Sequence, residues 1–287
     1  MFMTSGNGGY RHKAMLAHQD LFARFLSAKS RQDVRLWNNW GADNGAFTGF
    51  DQDLFMGNLR QLLPYKATCR FVVVPDVPFH WEPTLIKFAD WAPSIRRMGF
   101  PIALAVQDGA TVNNVPWSEI DALFIGGSTE WKRQQWRHVN ADLPLFTGLP
   151  DCVERPTQVA ELVNEARSRG MWVHIGRSAN APQQLWYAYN LGADSVDGTG
   201  EHFKPDQNFK WIAQTMWEIR QHEQRKSQSL QPGHDATLAG KAQRRSGVER
   251  EEARMGQSRI PSQPGENLKP EEALLSATLG VYQSATA

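Results

Sequence analysis

Acidic and amide side chains recur in this sequence directly after short apolar segments. Asp43 follows "WNNWGA", Asp76 follows "FVVVP", Gln107 follows "IALAV" and Asp197 follows "GADSV". Carboxylates can act as nucleophiles or as general acids and bases, and both carboxylates and amides accept hydrogen bonds from a ligand. These residues therefore predict a pocket to which several chain segments contribute.

A double glycine follows another apolar segment, "ALFI". Gly126 and Gly127 allow close packing, and consecutive glycines after a strand also expose backbone N–H groups to a ligand. A pocket that combines carboxylates, Gln107 and such amides suits a ligand that is rich in N–H groups and carries a carbonyl. Guanine-like bases have this arrangement of donors and acceptors.

Each of these motifs also has a purely structural interpretation. The run from Asp43 to Gly45 is typical of a turn, because Asp, Asn and Gly accept positive φ. Asp76 is placed to cap a helix, and Asp194 competes with Asp197 for any role in "GADSVDG". His174 lies within an apolar segment, which is typical of a core histidine.

Strand-like and helix-like segments alternate along the chain, and this pattern predicts parallel strands joined by helical crossovers. Two further segments, Met1 to Met3 and "LPLFTG" (143–148), would raise the strand count from six to eight and close a (β/α)8 TIM-type barrel of the α/β class; an open doubly wound sheet is the alternative. The six strands are predicted in "VRLWNNW", "CRFVVVPD", "PIALAVQDG", "ALFIGG", "MWVHIG" and "ADSVDG". The helices are predicted in "DQDLFMGNLRQLL", "EPTLIKFADWAPSIRRMG", "RPTQVAELVNEARSRG" and "APQQLWYAYNLG". In either fold the carboxyl ends of the strands meet at one edge, where ligands bind.

Composition divides the chain into two parts. Residues 1–221 are predicted to form the barrel, and residues 222–287 are rich in Gln, Ser, Gly, Arg and Glu, which predicts a mostly disordered tail. The net charge is +1, so any binding of nucleic acid must come from a local patch. The two cysteines lack zinc-site spacing, and the sequence shows neither a membrane span nor a signal peptide. We expect a cytoplasmic protein without a metal, a cofactor or a membrane partner.

One segment mixes basic and aromatic residues. "EWKRQQWRH" (130–138) contains Lys132 and Arg133 between two tryptophans. A solvated helix face is one interpretation, and a patch that follows the phosphates of a nucleic acid is the other. Arg177, just after a predicted strand, is a further candidate for such contact.

The order of the motifs "ADNGAF", "VVPD", "AVQDG", "FIGGS" and "GADSVDG" resembles the tRNA-guanine transglycosylase superfamily. The wider segments "PDVPFHWEPTL", "QDGATVNNVPW", "VHIGRSAN" and "GADSVDGT" look most like its phage and bacterial branch, deazapurine-in-DNA protein A, which exchanges guanine in DNA for a 7-deazaguanine. The similarity runs from about Trp40 to Thr199. It departs from the family at Asn44 and Ala46, where the family has Ser and Gly.

The resemblance implies a role for each matching position. Asp197 would be the nucleophile that attacks C1′, and Asp43 would be the general acid and base. Asp76 and Gln107 would hold the edge of the base. The other residues expected in the base site are Asn44, Gly126, Gly127 and Ser128, with the amides of Gly127 and Ser128 contacting the carbonyl of the base.

The partners implied are DNA, either single-stranded or with a flipped guanine, and a free 7-deazaguanine base. The tRNA enzymes carry a zinc site of three cysteines and a histidine after the nucleophile, and this chain has no cysteine after Cys152, which makes tRNA the less favoured substrate. Two alternatives stay open: a tRNA-guanine transglycosylase-like enzyme, and a barrel that binds 7-deazapurines or nucleic acid without catalysis.

Overall fold

Eight parallel strands form a closed barrel in which each strand pairs with its neighbours in chain order. The computed structural model describes residues 1–5, 9–29, 33–134, 158–198 and 204–229. Val196 in the last strand pairs with Phe2 in the first, which closes the sheet and excludes the open doubly wound alternative. The strands are β1 Phe2–Thr4, β2 Phe22–Leu26, β3 Trp40–Ala42, β4 Cys69–Val73, β5 Ile102–Val106, β6 Ala122–Ile125, β7 Trp172–Ile175 and β8 Ser195–Val196. The predicted (β/α)8 barrel is therefore confirmed.

Two strand predictions need correction. β2 was not predicted, because Arg24 interrupts the apolar pattern of "FARFL"; its side chain is fully buried, and one guanidinium nitrogen donates to the carbonyl of Thr4. The strand expected in "VRLWNNW" begins only at Trp40, since the chain turns between Val34 and Trp37. The strand expected in "LPLFTG" lies outside the described residues.

Helices connect most of the strands and cover the outside of the barrel. The four predicted helices are present as α2, α3, α5 and α6, whereas α1 and α7 were not predicted. The α-helices in the described ranges are α1 Gly9–Ala17, α2 Gln52–Leu62, α3 Trp81–Arg97, α4 Thr129–Gln134, α5 Gln158–Ser168, α6 Pro182–Leu191 and α7 Pro205–Ser229. Short 3-10 helices occupy Ala46–Thr48, Leu63–Thr68 and Trp117–Glu119.

The predicted boundary between barrel and tail falls inside α7. The first part of this helix buries Phe209, Ile212 and Met216, while residues 223–229 are exposed. A prediction based on buried apolar area stops where burial stops, but an established helix continues through its backbone hydrogen bonds. Residues 230–287 lie outside the described ranges.

The two faces of β5 differ in side-chain size, and this difference makes room inside the barrel. Ile102, Leu104 and Val106 pack outward against the helices, whereas Ala103 and Ala105 face inward and pack with other interior side chains. Successive residues of a strand point to opposite faces, so "IALAV" places its small side chains on one side. These alanines leave space that aromatic rings and a ligand can share.

Among the helices of the described ranges, none combines the length and the apolar character needed to cross a membrane.

We predict that Ala103→Leu lowers the free energy of unfolding by about 1–3 kcal/mol, because the added carbons overpack the barrel interior. Ala89→Leu adds the same volume at an exposed position of α3 and should change stability by less than about 0.5 kcal/mol. Urea denaturation of the two variants measures the difference. Equal stabilities would contradict the interior position of Ala103.

Candidate active site at the carboxyl rim of the barrel

A hollow of about 90 Å³ opens where the carboxyl ends of the strands meet. Most of the candidate residues line it, although they come from six different strand ends. The lining includes Asp43, Asn44, Asp76, Gln107, Gly126, Gly127, Arg177 and Asp197. Its floor is apolar and consists of Phe25, Val73, Ala105 and Phe124. Ser128 and Lys132 do not line the hollow, and the side chain of Arg133 lies outside the described part of the structure.

The turn after β3 is both a structural turn and part of the site. Asp43 extends the pairing of β3, because its N–H donates to the carbonyl of Leu26 at 2.8 Å. The Oδ1 atom of Asn44 accepts from the N–H of Ala46 at 2.7 Å, and Gly45 follows with a φ of 78°. Asn44 is only 1% exposed, and its Nδ2 donates to Asp76 Oδ1 at 2.8 Å. Asn44 therefore connects the turn to the carboxylate of the next strand.

Asp76 and Gln107 form a buried pair across neighbouring strand ends. Gln107 Nε2 donates to Asp76 Oδ2 at 2.6 Å. Gln107 Oε1 accepts from the N–H groups of Phe79 and Gly127, each at 2.8 Å. Because two backbone donors hold the oxygen, the amide of Gln107 has one orientation, with its NH2 group toward Asp76 and the hollow.

The double glycine is required by close packing around Gln107. A Cβ atom on Gly126 would lie 2.7 Å from Gln107 Nε2. Gly127 has a φ of 72°, and a Cβ there would lie 2.4 Å from a ring carbon of Trp131. A larger residue at either position would displace the groups that shape the pocket.

The structure corrects the role expected for the amides of Gly127 and Ser128. The N–H of Gly127 donates to Gln107, and the N–H of Ser128 donates to Asp108 Oδ1 at 2.7 Å. The hydroxyl of Ser128 also donates to Asp108 Oδ2, at 2.6 Å. Both amides have acceptors within the protein because the residues after β5 lie next to the residues after β6. They are therefore not directed at the carbonyl of a base.

Asp197 is held through one of its two carboxylate oxygens. Oδ1 accepts from the backbone N–H of Arg177 at 2.9 Å, and His174 Nε2 lies 3.0 Å from the same oxygen. The side chain of Asp197 is 18% exposed, toward the hollow. Asp194 lies at the opposite end of β8, where its Oδ2 accepts from the N–H of Val173. Of the two acids in "GADSVDG", Asp197 is therefore the one at the carboxyl rim.

The three carboxyl groups around the hollow differ electrostatically because their partners differ. Burial, followed by the charges of Asp76 and Asp197, raises the pKa of Asp43 to about 7, and the backbone N–H groups of Asn44 and Gly45 oppose this shift only in part. Burial also raises the pKa of Asp76, while hydrogen bonds from Asn44 and Gln107 lower it. A pKa near 7 is what a general acid and base requires at neutral pH. In the described residues, no group of three or more His, Cys, Asp or Glu side chains is arranged to hold a metal ion.

Two aromatic rings and an arginine form the mouth of the hollow. Phe47 is 57% exposed and Phe79 is 38% exposed, and their rings pack edge to face with centroids 6.0 Å apart. The guanidinium carbon of Arg177 lies 4.2 Å from the centroid of Phe47, and one of its nitrogens donates to the carbonyl of Gly127 at 3.2 Å. The sequence prediction did not include either ring, although the exposed end of "ADNGAF" is a signal for Phe47.

Neither interpretation of the basic segment, a solvated helix face or a patch that follows phosphates, fits the position of Lys132. Lys132 is only 5% exposed, and its ammonium group donates to the carbonyl of Gly176 at 2.8 Å. Burial lowers the pKa of Lys132 to about 8. The lysine packs inward because α4 lies over the carboxyl ends of β6 and β7, which the pattern of basic residues did not reveal. Residues 135–138 of the segment lie outside the described ranges.

A larger hollow, of about 1220 Å³, lies at the opposite end of the barrel between β7, β8, α6 and α7. Charged residues around it form ion pairs, Arg167 with Asp194 and Arg220 with Asp20. Ligands of (β/α)8 proteins bind at the carboxyl rim, and the three converging carboxyl groups lie at that rim. We therefore assign the candidate site to the smaller hollow.

No protein-family model matches the sequence, and no curated protein matches it either. Several solved structures share a distant likeness. A mandelate racemase/muconate lactonizing protein from Herpetosiphon aurantiacus is 12% identical over 70% of this chain and 55% of its own, with a TM-score of 0.39. A mutant tryptophan synthase alpha-subunit from Pyrococcus furiosus is 11% identical over 76% of this chain and 95% of its own, with a TM-score of 0.37.

A third similar structure is the Bacillus subtilis YkuI protein, which has an EAL domain in complex with c-di-GMP and calcium. It is 14% identical over 88% of this chain and 57% of its own, with a TM-score of 0.36. The chain spans 55% of the length of the racemase chain and 57% of that of the YkuI chain. Likenesses of this size do not bear on what the chain binds or catalyses, and none of the three named proteins is a transglycosylase.

We predict that Asp43→Asn stabilises the protein at alkaline pH. The pKa of this carboxyl rises from 3.8 to about 7 on folding, so the stability that its protonated form contributes is present below pH 3.8 and is lost as the pH rises to about 7. The advantage of asparagine should therefore grow between about pH 4 and 7 and reach about 1–3 kcal/mol at pH 8, since partial exposure reduces the full effect.

Urea denaturation at pH 5, 6, 7 and 8 measures this advantage. Asp90→Asn, at an exposed position of α3, is the matched control and should differ from the wild type by less than about 0.5 kcal/mol at each pH. A stability difference for Asp43→Asn that is the same from pH 5 to 8 would contradict the raised pKa.

Proposed function

We propose that this protein is a DNA-guanine transglycosylase, a pentosyltransferase that exchanges guanine in DNA for a 7-deazaguanine such as 7-cyano-7-deazaguanine. The observation that carries the proposal is the convergence of Asp43 and Asp197 on one hollow, beside the pair of Asp76 and Gln107. One acid has a pKa near 7, and the other is oriented through a single oxygen. A retaining exchange at C1′ requires such a pair, a nucleophile and a group that gives and takes a proton.

Asp76 and Gln107 provide the recognition of the base. The N1–H and the 2-amino group of guanine are donors on one edge, and a carboxylate accepts both. One hydrogen of the Gln107 NH2 group is used by Asp76, and the second can donate to the carbonyl of the base. A 7-deazaguanine has the same donors and carbonyl, so one pocket accepts the leaving base and the incoming base in turn.

The reaction proceeds by two displacements. In the first, a carboxylate oxygen of Asp197 forms a bond to C1′, the bond between C1′ and N9 breaks, and its electron pair stays with guanine, which takes a proton from Asp43. In the second, N9 of the 7-deazaguanine forms the bond to C1′ and the bond to Asp197 breaks. The proton on N9 passes to Asp43, so both carboxyl groups return to their first state.

The mouth of the hollow suits a base that has left the DNA stack. A guanine in a duplex cannot reach the floor of the pocket, so the substrate is single-stranded or the nucleotide is flipped. Phe47 and Phe79 offer exposed aromatic surface for stacking, and Arg177 between them supplies a positive charge for a phosphate. Lys132 has no part in this contact because its ammonium group is buried.

We predict that Asp197→Asn lowers the rate of base exchange at least about 10³-fold, because the amide cannot form the ester to C1′. The assay follows the release of labelled guanine from a single-stranded oligodeoxynucleotide in the presence of 7-cyano-7-deazaguanine. Asp194→Asn is the matched control, since it changes the neighbouring acid at the opposite end of β8, and it should keep the wild-type rate.

The same assay with tRNA as substrate, and a denaturing gel of the DNA, distinguish the alternatives. Equal exchange by wild type and Asp197→Asn would remove Asp197 from the role of nucleophile. Exchange into tRNA but not into DNA would move the substrate to tRNA. Tight binding of 7-cyano-7-deazaguanine without a covalent DNA adduct on a denaturing gel would favour the non-catalytic binding barrel.

We also predict that Gly126→Ala weakens the binding of 7-cyano-7-deazaguanine about tenfold or more, because a new Cβ atom 2.7 Å from Gln107 Nε2 displaces a recognition group worth about 1–3 kcal/mol. Gly57→Ala in α2 is the matched control, since its Cβ would meet no atom within 4 Å. Isothermal titration measures both affinities. Unchanged affinity in Gly126→Ala would contradict the role of Gln107.

A further inference from the structure

We infer that His174 and Ser195 are positioning residues that orient the carboxylate of Asp197 through a hydrogen-bond chain from Trp172. The inference rests on the proposed function for the role of Asp197 as nucleophile. It assigns a task to two buried residues that the reaction itself does not use.

The hydrogen-bond chain crosses the barrel from its amino end to its carboxyl rim. Trp172 Nε1 donates to Ser195 Oγ at 2.8 Å, at the amino ends of β7 and β8. Ser195 Oγ lies 2.9 Å from His174 Nδ1, and His174 Nε2 lies 3.0 Å from Asp197 Oδ1 at the carboxyl rim. His174 is 0% exposed and Ser195 is 1% exposed, so water does not compete for these bonds.

With an ionised Asp197 and a neutral imidazole, one arrangement of protons satisfies every bond in the chain. The indole N–H of Trp172 only donates and a carboxylate only accepts. His174 Nε2 must therefore carry the proton that Asp197 accepts, and Nδ1 is left as an acceptor. Ser195 accepts from Trp172 and gives its own hydrogen to Nδ1, so the serine supports the tautomer that the carboxylate of Asp197 requires.

Three phenylalanine rings hold the imidazole in place. The ring centroids of Phe25, Phe71 and Phe124 lie 5.1, 5.2 and 4.9 Å from that of His174. Burial lowers the pKa of His174, which keeps the ring neutral. A neutral ring with fixed orientation presents its Nε2–H to Asp197 without taking the proton that Asp43 handles.

The arrangement distinguishes the two oxygens of the nucleophile. His174 Nε2 and the N–H of Arg177 both contact Oδ1. Two donors on Oδ1 fix the rotamer of Asp197 and leave Oδ2 to form the bond to C1′. A core histidine that only filled space would satisfy its hydrogen bonds without this effect on the carboxylate.

The test compares His174→Leu, which removes the donor, with His174→Gln, whose Nε2 replaces it. The measured quantities are the single-turnover rate of covalent adduct formation with a guanine-containing oligodeoxynucleotide and the Kd of 7-cyano-7-deazaguanine. We expect the rate to fall about 10- to 100-fold in His174→Leu, since a hydrogen bond to a charged group is lost, and to stay within about threefold of wild type in His174→Gln. The Kd should stay the same in both, because Asp76 and Gln107 hold the base.

A double-mutant cycle with Ser195→Ala separates positioning from general stability. Ser195 acts only through His174, so Ser195→Ala should slow adduct formation in the wild type and have no further effect in His174→Leu. An equal Ser195→Ala effect in both backgrounds, or an unchanged rate in His174→Leu, would overturn the inference.

The tautomer of His174 in the wild-type protein tests the hydrogen-bond chain without an activity assay. Long-range ¹H–¹⁵N spectra of the histidine-labelled protein report the tautomer of each imidazole, and loss of one signal in His174→Gln assigns it. We expect the neutral Nε2–H form at His174. The Nδ1–H form would contradict the hydrogen-bond chain from Trp172 to Asp197. If the wild type exchanges no base while this tautomer is observed, the proposed function fails and the hydrogen-bond chain stands.

Discussion

The eighth strand is only two residues long, yet its pairing on both sides closes the barrel. Ser195 and Val196 pair with β7, and Val196 also pairs with Phe2 in β1. In a closed parallel barrel every strand ends at the same rim, so the residue after β8 faces the residues after β3, β4 and β5 across one hollow. The convergence of Asp43, Asp76 and Asp197 depends on this closure, because an open sheet would leave its first and last strands apart.

Three acids in one small hollow repel one another, and the structure resolves this by giving each acid different donors. Asp76 accepts from two side-chain amides, and Asp197 accepts from a backbone N–H and an imidazole. For Asp43, only the neighbouring backbone N–H groups offset the effect of burial, so its pKa rises to about 7. Different surroundings thus give neighbouring acids different proton affinities, and under the proposed function they become a proton carrier, a base-binding group and a nucleophile.

The barrel interior supports the rim from below. Alanines in β5 leave room that phenylalanine rings from β2, β4 and β6 fill, and these rings surround His174. The apolar packing keeps the imidazole neutral and dry, while the polar chain through Ser195 keeps it oriented. A site built on packed strands holds its groups more rigidly than one built on loops alone.

The amino-acid sequence by itself determined the alternation of strands and helices, the α/β class and the placement of Asp43, Asp76, Gln107 and Asp197 at strand ends, because these follow from local periodicity and from the residues that end each apolar run. It left a closed barrel and an open sheet as alternatives, and the pairing of Val196 with Phe2 decided between them. Only the tertiary structure decided which groups become partners. In the structure the ammonium group of Lys132 is buried and donates to Gly176, and the backbone N–H groups of Gly127 and Ser128 donate to Gln107 and Asp108. Asp197, rather than Asp194, lies at the carboxyl rim, where His174 contacts it. The physical reason is that each of these hydrogen bonds joins residues 20 or more positions apart in the chain, and no pattern within a single strand or helix specifies a partner on another.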